Sequence, residues 1–195
     1  MSKKYWKNEI FTIPNLLSFF RLILIPVYVA LYHNARDNED YLLAAVILAV
    51  SCLTDMIDGK IARHFHMISN FGKILDPLAD KLTQFSLILC LACRYPFLWY
   101  LCALFVVKES FQLIAGGIRL RKGSILKGAL LSGKISTTVL FLSLIILVML
   151  PGLSKLTVEI IAIIDVVFLS LAFADYIFVY LKNDSQFQSI KKDPK

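Results

Sequence analysis

The chain has 195 residues, 58% of them hydrophobic and only 18% charged, with a formal net charge of +7. A soluble domain of this size is nearer half apolar and a quarter charged. The apolar residues here run in blocks of bilayer-spanning length, which excludes an ordinary soluble enzyme and makes a polytopic helical membrane protein the expectation. In that setting the basic excess reads as cytoplasmic loops and contact with anionic headgroups, and no nucleic-acid partner is expected.

In chain order, residues 1–12 form a basic juxtamembrane segment with Lys3, Lys4 and Lys7 interleaved with Tyr5, Trp6, Ile10 and Phe11. An interfacial amphipathic helix and a frayed tail with interfacial anchors suit it equally well. No signal peptide is expected, because the first apolar block runs on at spanning length without a small-residue cleavage site. Six spans follow within a core of residues 13–182. They are Pro14–Tyr32, Tyr41–Ile57, Gly72–Cys93, Pro96–Leu120, Gly133–Leu150 and Lys155–Leu181. Pro14 suits a helix start. Tyr95-Pro96 and Pro151-Gly152 break the pattern where the third and fifth spans end. Residues 183–195 form a polar, basic tail. The expected fold class is therefore all-α, with six transmembrane helices in one compact domain.

The cysteines Cys52, Cys90, Cys93 and Cys102 lie inside apolar blocks, where the thiol acts as a small hydrophobe. Cys90-x-x-Cys93 has no second pair, so packing is the reading for it.

Basic residues cluster in alternate connections. The N-terminal arm, Lys60, Arg63 and Lys73, then Arg119, Arg121, Lys122 and Lys127, then the tail all share one side. The other side holds only Arg36, Arg94 and Lys155. The positive-inside rule then puts both termini in the cytoplasm, as an even number of spans requires, and the protein in the cell (inner) membrane.

The chemistry is concentrated where the second span ends and the third begins. Asp55 and Asp58 are three residues apart, and Asp76 and Asp80 are four apart. Each spacing puts two carboxylates on one helix face. Antiparallel neighbours joined by a short connection bring all four to one membrane depth. Bare carboxylates that close repel, so a cation must sit among them. Hard oxygen ligands favour magnesium, manganese or calcium over zinc. Two such ions can clamp a pyrophosphate and stabilise the charge that develops as its P–O bond breaks. Arg63 can fork onto phosphate oxygens. Gly59 and Gly72 leave room for a ligand or a backbone.

The run from Asp55 to Asp80 reads D-x2-D-G-x2-A-R-x8-G-x3-D-x3-D. It resembles the signature of the CDP-alcohol phosphatidyltransferase family, matched at Asp55, Asp58, Gly59, Ala62, Arg63, Gly72, Asp76 and Asp80. The resemblance implies six transmembrane helices, a homodimer and a cavity open to the cytoplasm. It implies transfer of a phosphatidyl group from CDP-diacylglycerol to an alcohol acceptor, with release of CMP and with Mg2+ or Mn2+, two ions, as cofactor. By the same resemblance Asp55, Asp58 and Asp76 hold one metal, and Asp55, Asp76 and Asp80 meet the second. Asp80 is the general base for the acceptor hydroxyl. Gly59, Ala62 and Gly72 line the nucleotide pocket, and Arg63 meets the pyrophosphate.

Ile13-Pro14-Asn15-Leu16-Leu17-Ser18-Phe19-Phe20-Arg21 and Phe71–Lys81 resemble the phosphatidylglycerophosphate synthase and cardiolipin synthase branch. Glycerol 3-phosphate is therefore the first expectation for the acceptor, and phosphatidylglycerol the second. Where the former enzymes typically carry Arg-Glu in the fourth helix, this chain has Lys108-Glu109, and Lys does not replace Arg at a bidentate site.

Glu109, Gln112, Gly116 and Arg119 fall on one face of the fourth helix. Lys108, Glu109, Arg119 and Lys134 are the candidate acceptor contacts, against a plain ion pair for Lys108 and Glu109 and positive-inside charge for the loop cations. Asp165 faces a cavity, pairs with Lys108 or serves a dimer. Asn15 and Arg21 are candidate nucleotide or headgroup contacts. His64 and His66 read as exposed loop residues. A membrane cation transporter using the same acids is the alternative of another class.

Overall fold

The structure, a computed structural model, describes residues 13–64, 72–126, 128, 130–182 and 187–189. The juxtamembrane segment, His66 and most of the tail lie outside the described residues. Six long helices follow in order. They are α1 (Ile13–Asn34), α2 (Asn38–His64), α3 (Gly72–Arg94), α4 (Trp99–Arg121), α5 (Leu131–Met149) and α6 (Lys155–Lys182). A 3-10 turn, Pro96–Leu98, leads into α4. Two three-residue strands, β1 (Ser124–Leu126) and β2 (Phe187–Ser189), add an antiparallel ribbon to the all-α expectation.

Among the described residues, Asn15–Asn34, Pro96–Arg121, α5 and α6 are long and apolar enough to cross a membrane.

The helices bury narrow stripes and expose large apolar side chains, the reverse of a water-soluble surface. On α6 the buried residues are Val158, Ala162, Asp165, Leu169, Ala172, Tyr176 and Val179. That alternation of four and three is a single seam. Ile160, Ile163, Leu171, Phe178 and Leu181 of the same helix are exposed, as lipid-facing residues are.

The chain divides into two compact units. One comprises the residues up to Arg94 together with Leu144–Leu153. In it α1 packs on both α2 and α3. Ala44, Ala45 and Ala79 are fully buried there, and small side chains let helix backbones approach closely where lipid supplies no hydrophobic drive. The Thr83 hydroxyl, also buried, donates to the Ala79 carbonyl at 2.9 Å, so its polarity is satisfied within α3.

The other unit comprises Tyr95–Ser143 and the residues from Ser154 onward. Here α4 packs on α6, with Phe111 edge-on to Phe173 at 5.5 Å and to Tyr180 at 6.0 Å. Gly123, at φ 74°, ends α4 in the left-handed region that favours glycine. The ribbon follows at once, pairing Ile125 with Gln188.

Candidate active site

In the first unit α1 carries a buried polar stripe: Asn15 (1% exposed), Ser18 (0%) and Arg21 (2%). The spacing of three keeps them on one helical face. An apolar helix tolerates such a stripe only when its groups find partners. For Ser18 and Arg21 those partners are the acids of α3. The Ser18 hydroxyl donates to Asp76 Oδ1 at 2.5 Å. Arg21 Nη1 pairs with Asp80 Oδ1. The Asp80 side chain is 47% exposed, so this carboxylate is fixed on one side and open on another. Gly72, at the head of α3, is buried.

Sequence reasoning placed Asp76 and Asp80 on one face, and they share one on α3. It did not single out Ser18. The signal was there: a serine midway between Asn15 and Arg21 in an otherwise apolar helix. Asp55, Asp58, Gly59, Ala62 and Arg63 lie in α2, and their side chains fall outside the described residues. Among the described residues no three ligating side chains gather. Asp76 and Asp80 are hard oxygen donors at helical spacing, one of them open. As a donor set they fit a divalent metal ion.

The second unit contains the acceptor candidates. Lys108 is 1% exposed; its Nζ donates to Glu109 Oε1 at 2.7 Å and lies 5.7 Å from the Tyr176 ring centre. The Leu130 backbone and the Gln112 side chain are polar neighbours of the Tyr176 hydroxyl. Arg119 donates through Nη2 to the Tyr180 carbonyl at 2.8 Å and stacks 4.3 Å over the Phe187 ring. Lys134 is exposed on the first turn of α5. The Ser132 hydroxyl donates to Asp175 Oδ2 at 2.5 Å. Asp165 is 1% exposed, and Ser143 is a polar neighbour.

The acid pattern and its setting in six helices define a class. A profile of the CDP-alcohol phosphatidyltransferase family matches residues 11–173, and the chain belongs to that family. Among its relatives is a CDP-diacylglycerol--glycerol-3-phosphate 3-phosphatidyltransferase of Aquifex aeolicus, 32% identical over 169 residues, covering 84% of this chain and 93% of that protein. A cardiolipin synthase (CMP-forming) of Streptomyces coelicolor is 32% identical over 120 residues, covering 60% of this chain and 55% of that protein. A probable phosphatidylglycerophosphate synthase of Mycobacterium tuberculosis is 29% identical over 135 residues, covering 68% of this chain and 64% of that protein. Against these last two the chain spans under two thirds of the relative's length. Family membership leaves the cation-transporter alternative without support. The family works with divalent metal ions.

Proposed function

We propose that this protein is a membrane enzyme of phospholipid synthesis. It transfers the phosphatidyl group of CDP-diacylglycerol to glycerol 3-phosphate and releases CMP. The observation that carries the reading is the pairing of α1 with α3: Ser18 on Asp76 and Arg21 on Asp80. It holds two acids of the family pattern in fixed positions at one end of the helices, with Asp80 still open. The Aquifex relative, matched over nearly its whole length, carries glycerol 3-phosphate in its name.

In this reading Asp55, Asp58, Asp76 and Asp80 hold Mg2+ or Mn2+ as a pair of ions, which when bound neutralise the pyrophosphate and its developing charge. Gly59, Ala62 and Gly72 leave space for the cytidine, and Arg63 forks onto the pyrophosphate. Asp80 accepts the proton of the acceptor hydroxyl as that oxygen attacks the phosphorus bearing diacylglycerol. An alcohol is a weak nucleophile at neutral pH and needs such a base. Arg21 holds that carboxylate against α1, so the base keeps its aim. Arg119 and Lys134 receive the acceptor phosphate, and the Lys108–Glu109 pair forms a polar wall beside Tyr176. Six transmembrane spans, a homodimer and a cytoplasmic site in the cell membrane complete the reading, with residues 13–182 as the catalytic domain.

A second reading keeps the chemistry and takes phosphatidylglycerol as acceptor, making cardiolipin. Lys108 in place of the arginine usual in phosphatidylglycerophosphate synthases, and the name of the Streptomyces relative, favour it. Purified full-length protein, given CDP-diacylglycerol and either acceptor in parallel, separates the two. Phosphatidylglycerol phosphate and CMP are expected from glycerol 3-phosphate. Turnover of phosphatidylglycerol alone would replace the acceptor, and CMP release with no alcohol tested would refute the reaction class.

A further inference from the structure

In the second unit the chain beyond α6 turns back onto the end of α4. Phe187, Gln188 and Ser189 pair with Leu126, Ile125 and Ser124, so β2 lies beside the strand that follows α4. A two-stranded ribbon is at best marginally stable on its own in water. Phe187 supplies what so short a ladder lacks. Its half-buried ring meets the Tyr180 ring edge-on, at 5.4 Å and 71°, which ties the ribbon to α6.

The same ring lies under Arg119, in the last turn of α4. Arg119 Cζ is 4.3 Å from the Phe187 ring centre. Arg119 Nη2 donates to the Tyr180 carbonyl at 2.8 Å. That carbonyl belongs to the last turn of α6, where helix carbonyls have no intrahelical donor. The Ser124 hydroxyl donates to the Arg119 carbonyl at 3.2 Å, so the ribbon also reaches the backbone of this residue. A hydrogen bond through one nitrogen fixes one corner of a guanidinium and allows rotation about it. An aromatic ring against the flat face fixes the plane.

We infer that Phe187 is a positioning residue for the acceptor: its ring holds the Arg119 guanidinium in the plane in which Arg119 meets the acceptor phosphate. This rests on the reading of Arg119 as a contact of that phosphate. A guanidinium recognises phosphate through a planar, rigid array of N–H donors, so tilting the plane weakens the contact. Phe187 has no group that gives or takes a proton. Its loss therefore falls on acceptor binding and spares the chemical step. Glycerol 3-phosphate and phosphatidylglycerol both carry a phosphate, so the role is the same for either acceptor. A segment beyond the last long helix thereby becomes part of the acceptor site.

The test is steady-state CMP release by the full-length protein at saturating CDP-diacylglycerol, varying whichever of the two acceptors the wild type turns over. Phe187→Leu keeps an apolar side chain in the ribbon and removes the ring, whereas Phe187→Tyr keeps the ring. Phe187→Leu should raise the acceptor KM about fivefold, the effect of losing one exposed cation–π contact, with kcat changed less than about twofold. Phe187→Tyr should have the wild-type KM. Arg119→Gln should raise the acceptor KM by itself, and adding Phe187→Leu to it should raise it no further. A wild-type KM in Phe187→Leu beside a raised one in Arg119→Gln would overturn the inference and leave the acceptor reading standing. So would a fall in kcat alone, or a Phe187→Leu effect undiminished in the Arg119→Gln background. An unchanged KM in Arg119→Gln would strike the acceptor reading itself, and the role of Phe187 with it.

Discussion

Ser18 and Arg21 stand three residues apart on α1, and each reaches one acid of α3. A hydrogen bond to a charged partner contributes about 1.5–3 kcal/mol. Ser18→Ala is therefore expected to lower the unfolding midpoint and, by freeing Asp76, to lower kcat/KM for CMP release by about ten- to a hundredfold in the protein that remains folded. Arg21→Lys keeps the charge and loses the rigid guanidinium geometry, so it should retain more activity than Arg21→Ala. Equal activity in all three variants and the wild type would separate α1 from the chemistry. Gly133 makes a different kind of claim. A Cβ there would sit 2.6 Å from the Tyr176 hydroxyl and 2.7 Å from its ring. Tyr176 is buried and its ring lies against that of Tyr180 at 6.3 Å, so it has little room to retreat. Gly133→Ala should cost about 1–3 kcal/mol, the usual penalty of overpacking. A lowered unfolding midpoint in detergent checks it.

Helices with strong periodic or terminal signals were legible from the sequence. Pro14–Tyr32 was expected where α1 runs Ile13–Asn34, and Lys155–Leu181 where α6 runs Lys155–Lys182. The breaks at Tyr95-Pro96 and Pro151-Gly152 follow from fixed proline geometry. Asp76 and Asp80 share a helix face because four residues make about one turn. What could not be read was pairing across the chain. Ser18 and Asp76 are 58 residues apart, and no local pattern says which serine in a span meets which acid. The β1–β2 ribbon was invisible for the same reason: three-residue strands carry almost no periodic signal, and β2 sits in a stretch that composition marks as tail. At the start of α2, Asp40 Oδ2 accepts the Arg36 N–H at 2.9 Å and the Asp37 N–H at 3.4 Å. This is half of a capping box. These two bonds hold the Asp40 carboxyl below its ordinary value. A depressed folded pKa gives stability that is present above the unfolded value, about 3.9, and lost as pH falls through the folded one. Asp40→Ala should therefore unfold more readily than wild type at neutral pH. The difference in unfolding midpoint should narrow as the pH drops below the carboxylate range.

At the scale of the whole molecule, the proposed topology has one polarity: basic connections and the acid cluster on the same side. Terminal tags should resist protease in right-side-out vesicles and be cut in inverted ones, and the opposite pattern would invert the assigned topology. In the proposed reaction α2 and α3 present carboxylates together, with α1 bracing the α3 pair. The most direct measurement is CMP release from CDP-diacylglycerol by purified wild-type, Asp76→Ala and Asp80→Asn proteins, each checked for folding, with magnesium, with manganese and with chelator. The account predicts release only in the wild type with metal and acceptor present, and a fall of about a hundredfold or more in Asp80→Asn, the scale of a lost general base. Wild-type rates in folded Asp80→Asn, or release undiminished by chelator, would contradict it.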